Sequence, residues 1–304
     1  MSRISSLATP KSAVAAGIGM MLLGMLLFSM NDVMGKWLVA TYTVGQLLLI
    51  RSIAALGLLM PFIKREGGMA ALMSIQRPWL QLVRAFFATA EVALFYWAVV
   101  YLPLADVITF YLAGPIYVTA LSVILLGERV GWRRWLAVLV GFLGVVIALR
   151  PSAASFTYPA LIALLGSMFF AVSMITTRVL RGTSDTMLVT TQTLGTLLLG
   201  ALAAPFGWVT PSLRDLLLLC LLGVVALVAH ACTNRSLKLA PASVVVPYQY
   251  TLIVWAILFG WLVFNDVPAL LMLLGAAIIV AAGLFIFLRE QAAVEEAMPP
   301  EAHP

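Results

Sequence analysis

One carboxylate stands in the apolar run FFATAEVALFYW, Phe86 to Trp97. An ionised side chain midway along a spanning helix costs about 2.5–3.5 kcal/mol on insertion scales, and such residues face a bundle interior or water and take a partner. Glu91 follows Arg84 by two helical turns and precedes Phe95 by one, so a helix places Arg84, Ala88, Glu91 and Phe95 on one stripe. Two chemistries stay open for Glu91. It can be a fixed partner of Arg51 or of a hydroxyl, locking two helices together. It can also be a desolvated acid that takes up and releases a proton.

Further polar groups stand in the same kind of surroundings. In SMNDVMGKW, Asp32 and Lys36 are spaced i, i+4 and can pair on one face, while Asn31 and Asp32 lie deep enough to reach a central vestibule. Lys36 is near enough to the end of its segment to snorkel to the headgroups instead. In AHACTNRSLKL, His230, Thr233 and Asn234 share a helical face. A lone buried histidine is usually a hydrogen-bonded structural group, but three polar side chains together favour a wet cavity. No second histidine, cysteine or carboxylate is spaced to join His230 in a metal site.

Prolines and aromatic residues add a third signal. Pro247 interrupts PASVVVPYQYTLIVWAILFGW, and Gly114 and Pro115 interrupt the segment before GPIYVTALSVILL. Discontinuous helices at corresponding places in two halves point to the central site of a transporter. Tyr248, Gln249 and Tyr250 stand beside one break, with Trp255 two turns after Tyr248, and Tyr111 stands beside the other. Aromatic rings at helical spacing more often pack or anchor at an interface; their coincidence with the breaks turns the reading toward cavity lining, with Tyr96 and Trp97 adding to it and Tyr101 at the outer interface.

These residues need spanning helices to position them. The chain has 304 residues, 63% hydrophobic and 10% charged, against about 25% charged in an average soluble domain; its mean hydropathy is +1.09. Apolar windows recur at roughly 14–35, 44–63, 80–101, 104–126, 132–149, 158–177, 186–206, 214–236, 242–263 and 268–288, each near the ~20 residues that cross a bilayer as a helix. A transmembrane barrel would show ~10-residue alternating segments instead. The expectation is an all-α integral membrane protein of ten transmembrane helices. The first window is too long for a signal peptide and no small-residue cleavage site follows it. Cys220 and Cys232 are read as small apolar residues. No metal or cofactor is expected.

Charge placement sets a topology. With the N-terminus in the cytoplasm, 13 Lys and Arg lie inside (Arg3, Lys11, Lys64, Arg65, Arg77, Arg129, Arg133, Arg134, Arg178, Arg181, Arg235, Lys238 and Arg289) and 3 outside (Lys36, Arg150 and Arg214), with Arg51 and Arg84 in or at the edge of helices. This follows the positive-inside rule and supports an even number of spans with both termini cytoplasmic in a bacterial-type inner membrane. The net charge of +6 is therefore topological and no sign of nucleic acid.

The chain also repeats itself. Leu104 to Val130 lies over Pro241 to Val267, with Ala105 meeting Ala242, Val107 meeting Val244, Tyr111 meeting Tyr248 and Ile116 meeting Ile253 at one offset. Gly24 to Leu38 lies over Gly166 to Leu180, matching Phe28 to Phe170 and Lys36 to Arg178. Two five-helix halves follow, 14–151 and 152–289, between a short N-terminal segment (1–13) and an acidic, proline-containing tail (290–304) expected to be disordered. Because five is odd, the halves enter the membrane from opposite sides, the inverted repeat of many secondary transporters.

The segment LADVITFYLAGPIYVTALSVILLGERVGWRRWLAVLVGFLGVVIALRP, with Pro115, Leu121, Leu126, Gly127, Glu128 and Trp135 in place, resembles the EamA-type members of the drug/metabolite transporter superfamily. The resemblance covers nearly the whole chain. The second half departs from it, with Asn265 and Asp266 where the first has Glu128 and Arg129. A cavity of aromatic faces, amides and a few charges suits a small amphipathic solute and is similar to that of the YddG-like amino-acid exporters, which implies export of aromatic or other neutral amino acids. An imported flavin or nucleotide derivative, for which Arg51 and Arg84 are the candidate phosphate or carboxylate holders, is the alternative, together with multidrug efflux. No Walker A, H-E-x-x-H or G-x-S-x-G string occurs, so neither ATP hydrolysis nor intramembrane hydrolysis is expected. The partners are a small-molecule substrate and the bilayer; a monomer is compatible with the sequence, which does not set the oligomeric state.

Overall fold

The computed structural model describes residues 10–73, 77–102, 104–128, 130–149, 157–264 and 270–296, and among these every regular element is helical. The helices are α1 (Pro10–Val39), α2 (Val44–Arg65), α3 (Gly68–Met73), α4 (Pro78–Tyr101), α5 (Leu104–Tyr111), α6 (Gly114–Leu126), α7 (Trp132–Leu149), α8 (Tyr158–Val179), α9 (Asp185–Ala203), α10 (Leu213–Leu239), α11 (Ala242–Val245), α12 (Leu252–Phe264) and α13 (Leu270–Glu296), with a 3₁₀ turn over Val246–Thr251. Helix α1 from Ser12, and α2, α4, α8, α9 and α10, are long and apolar enough to cross a membrane. Shorter apolar stretches lie at Gly114–Leu126, Trp135–Gly144, Ala242–Trp255 and Leu273–Ala282.

Local chemistry sets the helix starts. Thr43, Ser184 and Ser212 each accept a backbone N–H three residues on, from Gln46, Met187 and Asp215, which satisfies one of the free donors at each N-terminus. Pro78 opens α4, where its missing N–H is harmless. The two expected interruptions are present: the window 104–126 divides at Leu112–Ala113, and 242–263 passes through the 3₁₀ turn that holds Pro247. One expectation is corrected. Helix α13 continues to Glu296, into the segment expected to be disordered, because Glu-Gln-Ala-Ala-Val-Glu-Glu consists almost wholly of strong helix formers. Residues 297–304 lie outside the described residues.

The helices pack in four long pairs: α1 along α10, α4 along α8, α2 along α9 and α7 along α13. At Gly223 of α10 a β-carbon would come within 2.1 Å of the Arg51 carbonyl, so this glycine lets α2 approach backbone to backbone. The two largest apolar clusters lie toward opposite ends of the interior. One gathers Leu38, Tyr42, Leu47, Val99, Ala163 and Leu219, where α1 and α4 end and α8 and α10 begin. The other gathers Ile18, Met21, Val118, Ile175, Leu237 and Val245 at the opposite end.

Candidate functional site

Between the two clusters lies a cavity halfway along the helices. Counted to the side-chain surfaces and including its mouth, it measures about 670 Å³, of which the centre of a water molecule can range over about 70 Å³. Helix α1 contributes Met25, Phe28, Asn31 and Asp32, α2 Arg51, and α4 Glu91, Val92, Phe95 and Tyr96; Ile108 and Tyr111 come from α5, Leu112 from the break, Phe170 from α8, His230 from α10, Gln249 from the 3₁₀ turn and Leu252 from α12. Nine residues singled out by sequence therefore meet here: Asn31, Asp32, Arg51, Glu91, Phe95, Tyr96, Tyr111, His230 and Gln249.

A hydrogen-bonded chain sets one wall. Arg51 Nη1 donates to Tyr96 Oη (3.4 Å), and its guanidinium lies 5.8 Å from the Tyr96 ring centroid. Tyr96 Oη donates to Asn31 Oδ1 (2.8 Å), and Asn31 Nδ2 donates to the Leu222 carbonyl (2.9 Å). Four helices are joined in this way. Gly35 makes it possible, since a β-carbon there would fall 2.3 Å from the Tyr96 ring. Asp32 and Glu91 share the cavity with Arg51, so two carboxylates and one guanidinium face the same enclosed space, where charges interact far more strongly than in water.

The opposite wall is aromatic. Phe95 meets Tyr96 and Tyr111 edge-on at 5.4 and 5.2 Å between centroids, and Tyr111 lies 6.2 Å from Phe170. Tyr111 Oη donates to the Glu91 carbonyl (3.1 Å), fixing its ring. Phe28 stands edge-on to His230 at 4.9 Å. Gln249, 3% exposed, donates weakly to Met174 Sδ (3.7 Å), while its Oε1 has no donor among the described residues and sits near Gly114. It is an acceptor waiting for a donor.

Several expected residues lie elsewhere. Arg84 and Asn234 belong to a second buried network: Arg84 donates to Thr177 Oγ1 (2.6 Å), the Leu188 carbonyl (2.8 Å), Gln192 Oε1 (3.2 Å) and Asn234 Oδ1 (3.2 Å). The amide of Gln192 faces the His230 ring nitrogens at 3.1 and 3.2 Å, which couples that network to the cavity. Trp97 is 43% exposed on the outside of α4; six residues from Glu91, it is rotated about 120° off the inward face. Tyr248 is buried in the second apolar cluster, with Trp255 packed against it. In a 3₁₀ turn successive side chains differ by about 120°, so Gln249 takes the cavity position in place of its neighbour. Lys36 does not turn to Asp32: it donates to the Val99 (2.5 Å) and Leu102 (3.4 Å) carbonyls at the end of α4. Gly114, Pro115 and Pro247 stand at the helix breaks. Phe28 and Phe170 were not singled out for the cavity, although the internal repeat already matched one to the other.

The two ends of the molecule are tied differently. Arg178 donates to the Leu237 (2.6 Å) and Lys238 (3.2 Å) carbonyls, as Lys36 does at the other end. Glu128, in the turn after α6, accepts the backbone N–H groups of Ala242 (3.1 Å) and Ser243 (3.0 Å) at the start of α11, with Arg178 at 3.9 Å. At the far end Tyr42 Oη donates to Asp215 (2.7 Å), and the Gln46 amide pairs with the backbone of Val209.

The model of the EamA-like transporter family matches residues 15–150 and again 157–288. The chain belongs to that family. A riboflavin transporter of Rhizobium johnstonii is 30% identical over 294 residues, 95% of this chain and 96% of that protein. An S-adenosylmethionine uptake transporter of Rickettsia bellii is 27% identical over 92% of this chain and 96% of its own. The pseudopaline exporter CntI of Pseudomonas aeruginosa is 29% identical over 88% and 94%. A solved crystal structure covers 92% of this chain and 99% of its own at a TM-score of 0.75 and 17% identity, a likeness of fold. This EamA-like protein is thus a multi-pass helical membrane protein whose relatives move small metabolites, and the expected superfamily is correct.

Proposed function

We propose that this EamA-like protein is an alternating-access carrier of the inner membrane that moves an amphipathic metabolite with a planar heteroaromatic ring. The observation that carries this reading is the mid-helix cavity, in which Phe28, Phe95, Tyr96, Tyr111 and Phe170 offer ring surfaces beside Asn31, Asp32, Arg51, Glu91 and the unpartnered Gln249 oxygen. Rings stack on rings, and a few placed polar groups fix orientation. Aromatic and other neutral amino acids, the cargo first drawn from the sequence, are the smaller fit; the relatives named above carry riboflavin, S-adenosylmethionine and pseudopaline. Because they include both an uptake transporter and an exporter, direction follows gradient and coupling and is not set by fold.

The carrier reading includes ten spans in two inverted five-helix repeats, 14–151 and 152–289, with both termini cytoplasmic. The family model's two matches support it. So does the packing: exchanging the halves turns the α1 with α10 pair into α8 with α4, and maps α2 with α9 and α7 with α13 onto themselves. Lys36 and Arg178, matched in sequence, cap the ends of matched helices. The helix breaks after Tyr111 and around Tyr248 fall at matched positions.

Counterflow in proteoliposomes tests the reading. Purified protein should accelerate exchange of labelled riboflavin or S-adenosylmethionine above protein-free vesicles and return the solute chemically intact. Exchange of phenylalanine or leucine alone would overturn the cargo class. Binding without flux, or conversion of the solute, would overturn the carrier.

A further inference from the structure

Arg51 and His230 each have two sides. One side lines the aromatic cavity; the other lines a narrow space among α2, α9 and α10, about 290 Å³ counted to the side-chain surfaces and including its mouth, of which the centre of a water molecule can range over only about 20 Å³. That annex is bordered by Ser52, Gln192, Thr193 and Thr196, and contains no aromatic side chain besides His230. Ala55 and Ala226 keep it open, where larger residues would fill it.

The hydrogen-bonding state of the lining defines what it can accept. Thr193 Oγ1 donates to the Val189 carbonyl (2.8 Å) and Thr196 Oγ1 to the Gln192 carbonyl (3.0 Å). A hydroxyl has one donor and two acceptor positions, so both threonines present lone pairs to the annex. Arg51 brings five N–H donors, of which Nη1 is engaged with Tyr96. A carboxylate or phosphate would use the arginine but meet the threonine lone pairs unfavourably, and an alkyl chain would leave all of these groups unpaired at a cost. Hydroxyl groups, which donate and accept together, satisfy both sides.

We propose that the annex is a second compartment of the transport site, which receives the polyhydroxylated tail of the substrate, a linear polyol or a ribose, while the ring lies among Phe95, Tyr111 and Phe170. The proposal rests on the carrier reading above and adds to it a tail class. Arg51 and His230 form the partition, and their side chains move aside for a substrate that occupies both compartments.

Two ligand pairs test it: riboflavin against lumiflavin, which replaces the ribityl chain by methyl, and adenosine against adenine. Binding to the purified full chain is read by ligand fluorescence or by competition. Two new hydroxyl hydrogen bonds give the tail-bearing member of the bound pair an advantage of about tenfold. Thr196→Val, which keeps the shape and removes the acceptor, should shrink that advantage to about threefold, with Ser52→Ala as a second variant and an unchanged melting transition as the folding control. Equal binding of ring and ring-plus-tail by the wild type, or an equal loss for both ligands in Thr196→Val, overturns the annex and leaves the ring site standing. If none of the four ligands binds and phenylalanine does, the ring-metabolite reading falls and the annex with it.

Discussion

Removing Glu128 tests the proposed alternating-access carrier, in which the Glu128 contacts would hold one end shut. Its carboxylate accepts two backbone N–H groups at the start of α11 and lies 3.9 Å from Arg178. Hydrogen bonds to a charged group contribute about 1.5–3 kcal/mol each. In Glu128→Ala water recovers part of this, since the turn stands at the end of the molecule, leaving a net loss of about 2–3 kcal/mol. Every 1.4 kcal/mol is tenfold, so the closed form loses roughly 30- to 150-fold of its advantage, enough to bring a closed population of about 99:1 near parity. A cysteine at Val118, fully buried in the apolar cluster below that turn, reports the change once Cys220 and Cys232 are replaced by serine. A membrane-impermeant maleimide added from the Glu128 side should label Val118→Cys at least tenfold faster in Glu128→Ala than with Glu128 intact. Equal rates, or faster labelling from the opposite side alone, would refute the latch.

Three further outcomes are expected. In proteoliposomes, Glu91→Gln should abolish the response of transport to an imposed pH gradient if Glu91 carries the coupling proton; gradient-independent flux that is the same in wild type and variant assigns Glu91 to fixed pairing with Arg51. Arg84→Leu leaves Thr177, Leu188, Gln192 and Asn234 without their donor and should destabilise by about 2–3 kcal/mol, seen as a melting temperature several degrees lower in detergent; an unchanged transition would mean those groups find other donors. The hydrogen bond to Asp215 raises the Tyr42 phenol above its ordinary value of 10.0. Its contribution is fully present below that value and is lost as the pH rises through the shifted one. The ultraviolet difference titration between wild type and Tyr42→Phe should therefore show one tyrosine ionising above the normal range, and a difference curve centred at the ordinary value would count against the contact.

The sequence of Glu91, Arg84 and Phe95 showed that α4 turns a polar stripe inward, because spacing along a helix is a local property. It did not show that Arg84 leaves that stripe for Thr177 and Gln192 while Glu91 stays in the cavity. That difference depends on which helix crosses at each level. Likewise Pro247 marked a break, but which of Tyr248 and Gln249 faces the cavity depends on how the turn is rotated against the helices packed around it. Phe28 and Phe170 were visible as repeat partners, yet nothing local distinguishes a cavity ring from a packed one.

By itself the sequence determined the solvent of each segment, the places where helices break and the kinship with EamA-like transporters, since hydropathy, proline and glycine act on the residues around them. The tertiary structure alone decided the joining of Arg51, Tyr96 and Asn31 and the capture of the α11 start by Glu128. Those contacts link residues 45 to 191 positions apart, and they depend on helix rotation and crossing, which are set by how all the packed faces fit at once.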